Sequence, residues 1–354
     1  MPASHRLCVA PMMERTDRHF RFLVRLLSPH ARLYTEMITA RALLHGDAQR
    51  LLAFHADEQP LALQLGGSDP AELAAASKLG EAAGYDEINL NVGCPSGRVQ
   101  AGCFGVALML EPERVARCVA MMRAAVQVPI TVKTRLGVDD QDTYEFLQAF
   151  VRMLADAGCR TIVVHARKAW LKGLSPKENR EIPALDYARV YRLKNDFPEL
   201  NVVINGGLTE VRASVAHLHY VDGIMLGRAA YQNPWLLPQL DARLFDSITG
   251  VAAERSRSDV LTEFLRYVAQ QLGTGTPLKA MTRHLMGLYC GQAGGRHWRR
   301  QLSELPEGQA GLRKLQQLAR HTSVDESSAD DTSSFDRKAP DRLTNVLASA
   351  DLSV

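Results

Sequence analysis

The chain has 354 residues, 46% of them hydrophobic and 23% charged, with a net charge of +3. Such a composition is that of an ordinary globular protein, long enough for one domain of roughly 200–250 residues and a smaller one, and too nearly neutral to declare a nucleic-acid partner by charge alone. Six cysteines with no C-x-x-C pair argue against a disulfide framework or a structural metal, and the lack of a signal-like start or a ~20-residue apolar run predicts a soluble, cytoplasmic chain.

Short apolar runs alternate with amphipathic stretches up to residue 240. They predict strands at Leu7–Ala10, Leu33–Glu36, Leu61–Leu65, Glu87–Asn91, Ile130–Lys133, Thr161–His165, Asn201–Asn205 and Gly223–Leu226. Helices are predicted at Arg18–Leu27, Pro70–Ala83, Pro112–Ala125, Thr143–Ala157, Tyr187–Asp196 and Glu210–Leu218. Pro70 and Pro112 suit first helical turns, and Asp69 is a natural cap before Pro70. The alternation predicts an α/β fold, a (β/α)8 TIM barrel over residues 1–240. A doubly wound sheet would carry a G-x-G-x-x-G turn after its first strand, where this chain has Ala10-Pro11-Met12-Met13. Helical periodicity from Val260 to Gln317 predicts a small C-terminal helical bundle over 241–320. The Ser-, Asp- and Ala-rich remainder, 321–354, reads as a disordered tail.

The residues at the strand ends carry the chemistry. The strands lead in turn into Pro11-Met12-Met13, Thr35-Glu36-Met37, Gln64-Leu65-Gly66-Gly67, Asn89 to Cys94, Lys133-Thr134-Arg135, His165-Ala166-Arg167, Asn205-Gly206-Gly207 and Gly227-Arg228. In a parallel barrel all these ends share one mouth. A lone His165 is more often a structural imidazole and a lone Lys133 a solvated charge, but packing alone does not explain a polar or glycine-rich end on every strand. Cys94 stands out: Gly93, Pro95 and Gly97 are turn residues, which places its thiol at a rim and not in a core.

The last two strand ends suggest an anion site, because Gly206-Gly207 frees backbone amides and Arg228 adds a cation beside Gly227. Lys133 and His165 belong to middle strands, across the mouth from that site. A ligand with a phosphate at one edge and an electron-accepting ring over the centre fits, and FMN is such a ligand. Lys133 would face the ring's N1–C2=O edge, Gln64 its pyrimidine portion, and the Pro11, Met12 and Met13 backbone its face.

These residues resemble a known family. From about Leu7 to Leu302 the chain is similar to the tRNA-dihydrouridine synthases, the A subgroup in particular. The likeness rests on Ala10–Met13, Tyr34–Met37, Gln64–Gly67, Asn89–Ser96, Val132-Lys133, His165–Pro176, Asn205–Gly207 and Gly227-Arg228. It implies an FMN enzyme that reduces the C5–C6 bond of D-loop uridines in tRNA, at positions 20 and 20a, with NADPH as reductant. Such a reduction needs a hydride at C6 and a proton at C5. Cys94 is the candidate acid, since an ordinary thiol, with a pKa of about 8.5, is protonated at neutral pH. Asn91 would hold the uracil edge or orient the turn. The target base must leave its stack to reach a barrel mouth, which costs a few kcal/mol that backbone contacts have to offset.

Candidate contacts lie in two basic stretches. Between Pro277 and Ser303 there is no acidic residue, while Lys279, Arg283, Arg296, Arg299 and Arg300 are interleaved with His284, Tyr289, His297 and Trp298. The stretch Arg167–Arg180 adds Lys168, Lys172 and Lys177, with His165 beside it and Glu178 as its one acid. By resemblance Lys177, Asn179, Arg180, Arg296 and Arg299 are expected at the tRNA. Glu14-Arg15 stands where the family usually has Asp-Trp, and Ala101 and Cys103 also depart from it, leaving Cys103 a rival acid. Three other readings stay open: an FMN barrel acting on a free pyrimidine, a Schiff-base aldolase using Lys133, and an RNA-binding barrel without redox chemistry. A monomer without a metal is expected.

Overall fold

The computed structural model describes residues 5–249 and 255–329. Its strands are β1 (Leu7–Val9), β2 (Leu33–Tyr34), β3 (Ile38–Thr39), β4 (Leu61–Gly66), β5 (Glu87–Val92), β6 (Ile130–Arg135), β7 (Thr161–His165), β8 (Asn201–Asn205) and β9 (Gly223–Leu226). All pair in parallel in the order β1-β9-β8-β7-β6-β5-β4-β2, with β3 on β4. The ring closes where Cys8 bridges Arg32, just ahead of β2. There the Val9 amide donates to the Arg32 carbonyl at 3.0 Å and the Arg32 amide to the Leu7 carbonyl at 2.9 Å. The expected (β/α)8 barrel is the fold.

Capping decides where the outer helices start. Asp17 accepts from the His19 and Phe20 amides ahead of Arg18–Leu27, and Asp69 does the same for the Ala71 and Glu72 amides of Pro70–Ala82. Thr143 and Asp186 cap Tyr144–Asp156 and Tyr187–Asp196. Each such cap satisfies otherwise orphaned amides and is worth about 1 kcal/mol. The two-residue side-chain period of the strands then sorts the core. One set of residues meets the helices; the other fills the barrel, where Cys8, Ala10, Tyr34, Ala62, Val163, Val203 and Met225 pack together. Both sets are buried on β4, so all six of its residues are covered.

Some elements differ from expectation. β2 stops at Tyr34 because the Thr35 hydroxyl turns to the Glu36 carbonyl (2.7 Å) and accepts from the Gln64 amide (3.0 Å). The chain then re-enters the sheet as β3, which the sequence did not announce. The helix expected over Glu210–Leu218 is Val211–Ala216 followed by a tighter turn, His217–His219.

Beyond β9, helix Leu236–Thr249 runs across residue 240 and packs on β1 and on Arg18–Leu27. Helix Arg257–Gly273 docks on the same Arg18–Leu27, with Phe22 stacked on Tyr267 at 4.0 Å and His19 bonded to the Tyr267 hydroxyl at 2.7 Å. Leu278–Thr282, Gly295–Ser303 and Gly308–Ala329 complete the helical region. The last of these continues into the stretch expected to be a disordered tail, correcting that expectation up to Ala329; residues 330–354 lie outside the described residues. No helix among the described residues is long and apolar enough to cross a membrane.

Candidate active site

The barrel mouth is built from rows of side chains that the strand register sets level with one another. One row runs Arg135, His165, Asn205 and Met225 across β6 to β9. Another pairs Asn91 with Lys133, and a deeper one Gln64 with Asn89 and Thr131. Lys133 Nζ donates to Asn205 Oδ1 at 3.2 Å, and Asn205 Nδ2 to the Met225 carbonyl at 2.7 Å. Lys133 keeps further donors for a ligand.

Cys94 follows β5 and is a free, half-buried thiol. Its turn is fixed from three sides. Asn91 Oδ1 accepts from the Gly93 and Cys94 amides at 3.1 and 3.0 Å, while Asn91 Nδ2 donates to Gln64 Oε1 at 2.9 Å. The Val106 amide donates to the Cys94 carbonyl at 3.0 Å. Arg135 Nε donates to the Gly93 carbonyl at 2.9 Å. Asn91 therefore orients the turn, one of its two expected roles. The rival thiol, Cys103, is exposed and sits in a left-handed backbone conformation (φ 55°).

Basic groups cluster around Cys94. Cys94 lies close enough to Lys133, Arg135 and Arg180 to interact with their charges. Burial, then the Arg135 guanidinium, pushes Lys133 down to about 7, and burial lowers Arg135 itself to about 10. Burial, followed by Arg135 and Lys133, holds His165 well below the imidazole range. His165 is thus a neutral hydrogen-bonding group that adds no charge to the Arg167–Arg180 stretch. Gly206 and Gly207 have φ of 111° and 72°, and a Cβ on Gly206 would come within 2.7 Å of the His165 ring. Only glycine permits that turn beside that ring.

The loop after β7 covers this face. Arg135 Nη1 donates to the Lys168 and Asn179 carbonyls at 3.0 and 2.9 Å, and Gln100 Nε2 to the Pro95 and Leu171 carbonyls at 2.9 and 3.0 Å. These two side chains tie the Cys94 turn to the loop; Gln100 was not named from the sequence, and Arg135 was named at its strand end without a role. Arg135 was legible in principle: it is the next inward position after Thr131 and Lys133 on a strand predicted to stop too early. Asn179, expected at tRNA, is fully buried. Its Oδ1 accepts from the Trp170 amide (2.8 Å) and its Nδ2 donates to the Trp170 and Leu174 carbonyls (2.9 and 3.2 Å), so it holds the loop and has no outward face. Lys177 and Arg180 are exposed. Arg228 is exposed as well; it pairs with Glu181 at 2.5 Å and donates to the Arg180 carbonyl at 3.2 Å.

In the helical region Arg296, His297, Arg299 and Arg300 are exposed on helix Gly295–Ser303. The aromatic residues expected among them are not surface groups: Tyr289 and Trp298 are buried and packed on each other at 4.9 Å, and His284 is buried against Tyr231 and Asp17. Arg283 also reaches Asp17, which ties this region to the loop that carries Pro11, Met12 and Met13. Pro11 and Met12 are half-buried there and Met13 is exposed. No cluster of metal-binding side chains occurs among the described residues.

The sequence that builds this mouth, with its thiol, its half-buried lysine and its glycine turn, matches a known family along nearly the whole barrel and beyond. The family model described as dihydrouridine synthase (Dus) covers residues 8–323. The chain belongs to the dihydrouridine synthase family. Dihydrouridine synthases are flavin-dependent oxidoreductases, and this chain is an enzyme of that kind. It is 59% identical over 301 residues to the tRNA-dihydrouridine(20/20a) synthase of Xanthomonas campestris pv. campestris, covering 85% of this chain and 88% of that protein. The proteins of the same name from Vibrio cholerae and Escherichia coli O6:H1 are each 53% identical, over 86% and 85% of this chain and 92% and 90% of theirs.

Proposed function

We propose that this dihydrouridine synthase reduces the C5–C6 bond of uridines 20 and 20a in the D-loop of tRNA, with FMN as cofactor and NADPH as reductant. The observation that carries the reading is the geometry of Cys94. A free thiol on a turn fixed by Asn91, Arg135 and Val106, at the mouth that also holds Lys133, is what delivery of a proton to a flat base requires.

The residues present fit FMN. Arg167 Nε is buried without a hydrogen-bond partner, Lys133 has donors to spare, and Gly206 and Gly207 carry no side chain of their own to block their amides from a phosphate. Pro11, Met12, Met13, Gln64, Lys133, His165, Asn205, Gly206, Gly207, Gly227 and Arg228 would hold it. FMN held there and reduced by NADPH would supply the hydride for C6.

The chain's own groups do the rest. Lys133, neutral or charged near pH 7, answers to the charge of whatever lies over it. Neutral His165 offers a hydrogen bond without adding repulsion to a cationic site. Cys94 gives its proton to C5 of the extruded uracil, and solvent restores it. Asn91 keeps the thiol in place while Arg135 and Gln100 hold the covering loop against the same turn. Lys177, Arg180, Arg296, Arg299 and Arg300 meet the tRNA backbone. Incubation of the enzyme with NADPH and an unmodified tRNA transcript should add the mass of two hydrogens at positions 20 and 20a. A transcript recovered without that gain refutes the assignment.

A further inference from the structure

Glu87 is a buried ionisable group that the proposed chemistry leaves without a role. It opens β5 at the closed end of the barrel, and Asn91 lies about 13 Å farther along the strand. His5 Nε2 is 2.6 Å from Glu87 Oε2, Arg32 lies at 3.6 Å, and the Tyr34 hydroxyl donates to Oε1 at 3.0 Å. Burial alone would raise this carboxyl, but His5, Arg32 and Thr131 hold it below the ordinary glutamate value. It is therefore a carboxylate and can only accept hydrogen bonds.

That constraint propagates upward. The Thr131 hydroxyl must donate to Glu87 Oε1 (2.6 Å), so its oxygen accepts from Asn89 Nδ2 (2.8 Å). Asn89 Oδ1 then accepts from Gln64 Nε2 (2.8 Å), and Gln64 Oε1 accepts from Asn91 Nδ2 (2.9 Å). Asn91 Oδ1 is left to accept from the Gly93 and Cys94 amides. The far end is equally constrained, because backbone amides can only donate. A carboxylate at one end and two amides at the other leave every side-chain amide between them a single orientation.

We infer that Glu87 is a positioning residue for Cys94 and Gln64, acting through Thr131, Asn89 and Asn91. Closing the barrel floor accounts for the contacts of Glu87 with His5, Arg32 and Tyr34. It does not account for an unbroken run of amides from the carboxylate to the Cys94 turn, since a buried polar group costs stability that apolar residues of the same volume avoid. The run turns a fixed charge at the floor into a fixed orientation at the mouth. It also decides which end of the Gln64 amide meets a bound ring.

This inference rests on Cys94 as the proton donor, and its test separates the two claims. Thr131→Val keeps the shape and removes the hydroxyl; Thr131→Ser restores it. Iodoacetamide labelling of Cys94 is followed by peptide mass spectrometry, cleavage after Arg98 placing Cys94 and Cys103 on separate peptides. Freed of its anchor, the turn should open more often, and Thr131→Val should label Cys94 about threefold faster or more. Its NADPH-reduced flavin should be reoxidised by tRNA about tenfold more slowly, with reduction by NADPH unchanged. Thr131→Ser should return both rates to wild type. A folded Thr131→Val with wild-type labelling and reoxidation overturns the inference. If that variant does not fold, Glu87→Gln decides in its place: altered labelling supports the anchor and unaltered labelling removes it. Should wild-type flavin ignore tRNA, the proposed function fails while the labelling comparison still judges the chain.

Discussion

Cys94, Lys133 and Asn179 show how much one position can be asked to do. Replacing Cys94 with Ala should leave flavin content and NADPH oxidation intact while lowering dihydrouridine formation by roughly 10²–10⁴-fold, the usual worth of a placed acid. Quantifying dihydrouridine in tRNA treated with Cys94→Ala checks this, and full yield would take the thiol out of the reaction. Lys133 makes a pH-dependent prediction. With its value near 7 in the free site, it is mostly neutral at pH 8, and an electron-rich ligand edge raises it again. FMN binding should therefore take up a proton above about pH 7, and the uptake should fade as pH falls below that value, where Lys133 is already charged. Calorimetry in buffers of different ionisation enthalpy reads this directly, and Lys133→Met should abolish it. Asn179→Ala leaves the Trp170 and Leu174 backbone groups without their partner and should cost roughly 1–3 kcal/mol. Earlier proteolysis between Arg167 and Arg180, with the barrel still intact, would be its signature.

At the scale of elements, the strands were legible because each is a short apolar run bounded by turn residues, and the polar strand ends pointed to a shared mouth. Gln64, Asn91, Lys133, His165 and Asn205 do meet at that end of the barrel. Three features were not legible, for separable reasons. β3 is a brief return to the sheet that no periodicity over two residues can announce. Arg135 was named at its strand end, but its bonds to Gly93, Lys168 and Asn179 were not, because sequence does not say which carbonyls a guanidinium reaches. Tyr289 and Trp298 looked like stacking platforms because sequence spacing does not say which face of a helix packs inward; their ring contact and burial do. The pairing of Arg228 with Glu181 was equally invisible, joining residues far apart in sequence. If Arg228 serves a phosphate, Arg228→Ala should weaken FMN retention by about tenfold on equilibrium dialysis, the worth of one charge-assisted bond. Unchanged retention would assign the residue to the covering loop alone.

Taken whole, the molecule is a catalytic barrel whose first loop is tied to a basic helical region through Asp17, Arg283 and His284. On the proposed reading, the exposed arginines of helix Gly295–Ser303 would hold a large folded RNA while one base is drawn out. Arg299→Ala combined with Arg300→Ala should weaken tRNA binding and reduce the slope of log affinity against log salt by about 2. An unaltered slope would mean these charges face only water. A flavin in this barrel is proposed to deliver reducing equivalents to tRNA. The most direct test is to reduce the enzyme with NADPH under anaerobic conditions and follow flavin absorbance on adding tRNA. Rapid reoxidation by unmodified tRNA, and none by tRNA already carrying dihydrouridine, is the predicted result. A reduced flavin that stays reduced with both would contradict the account.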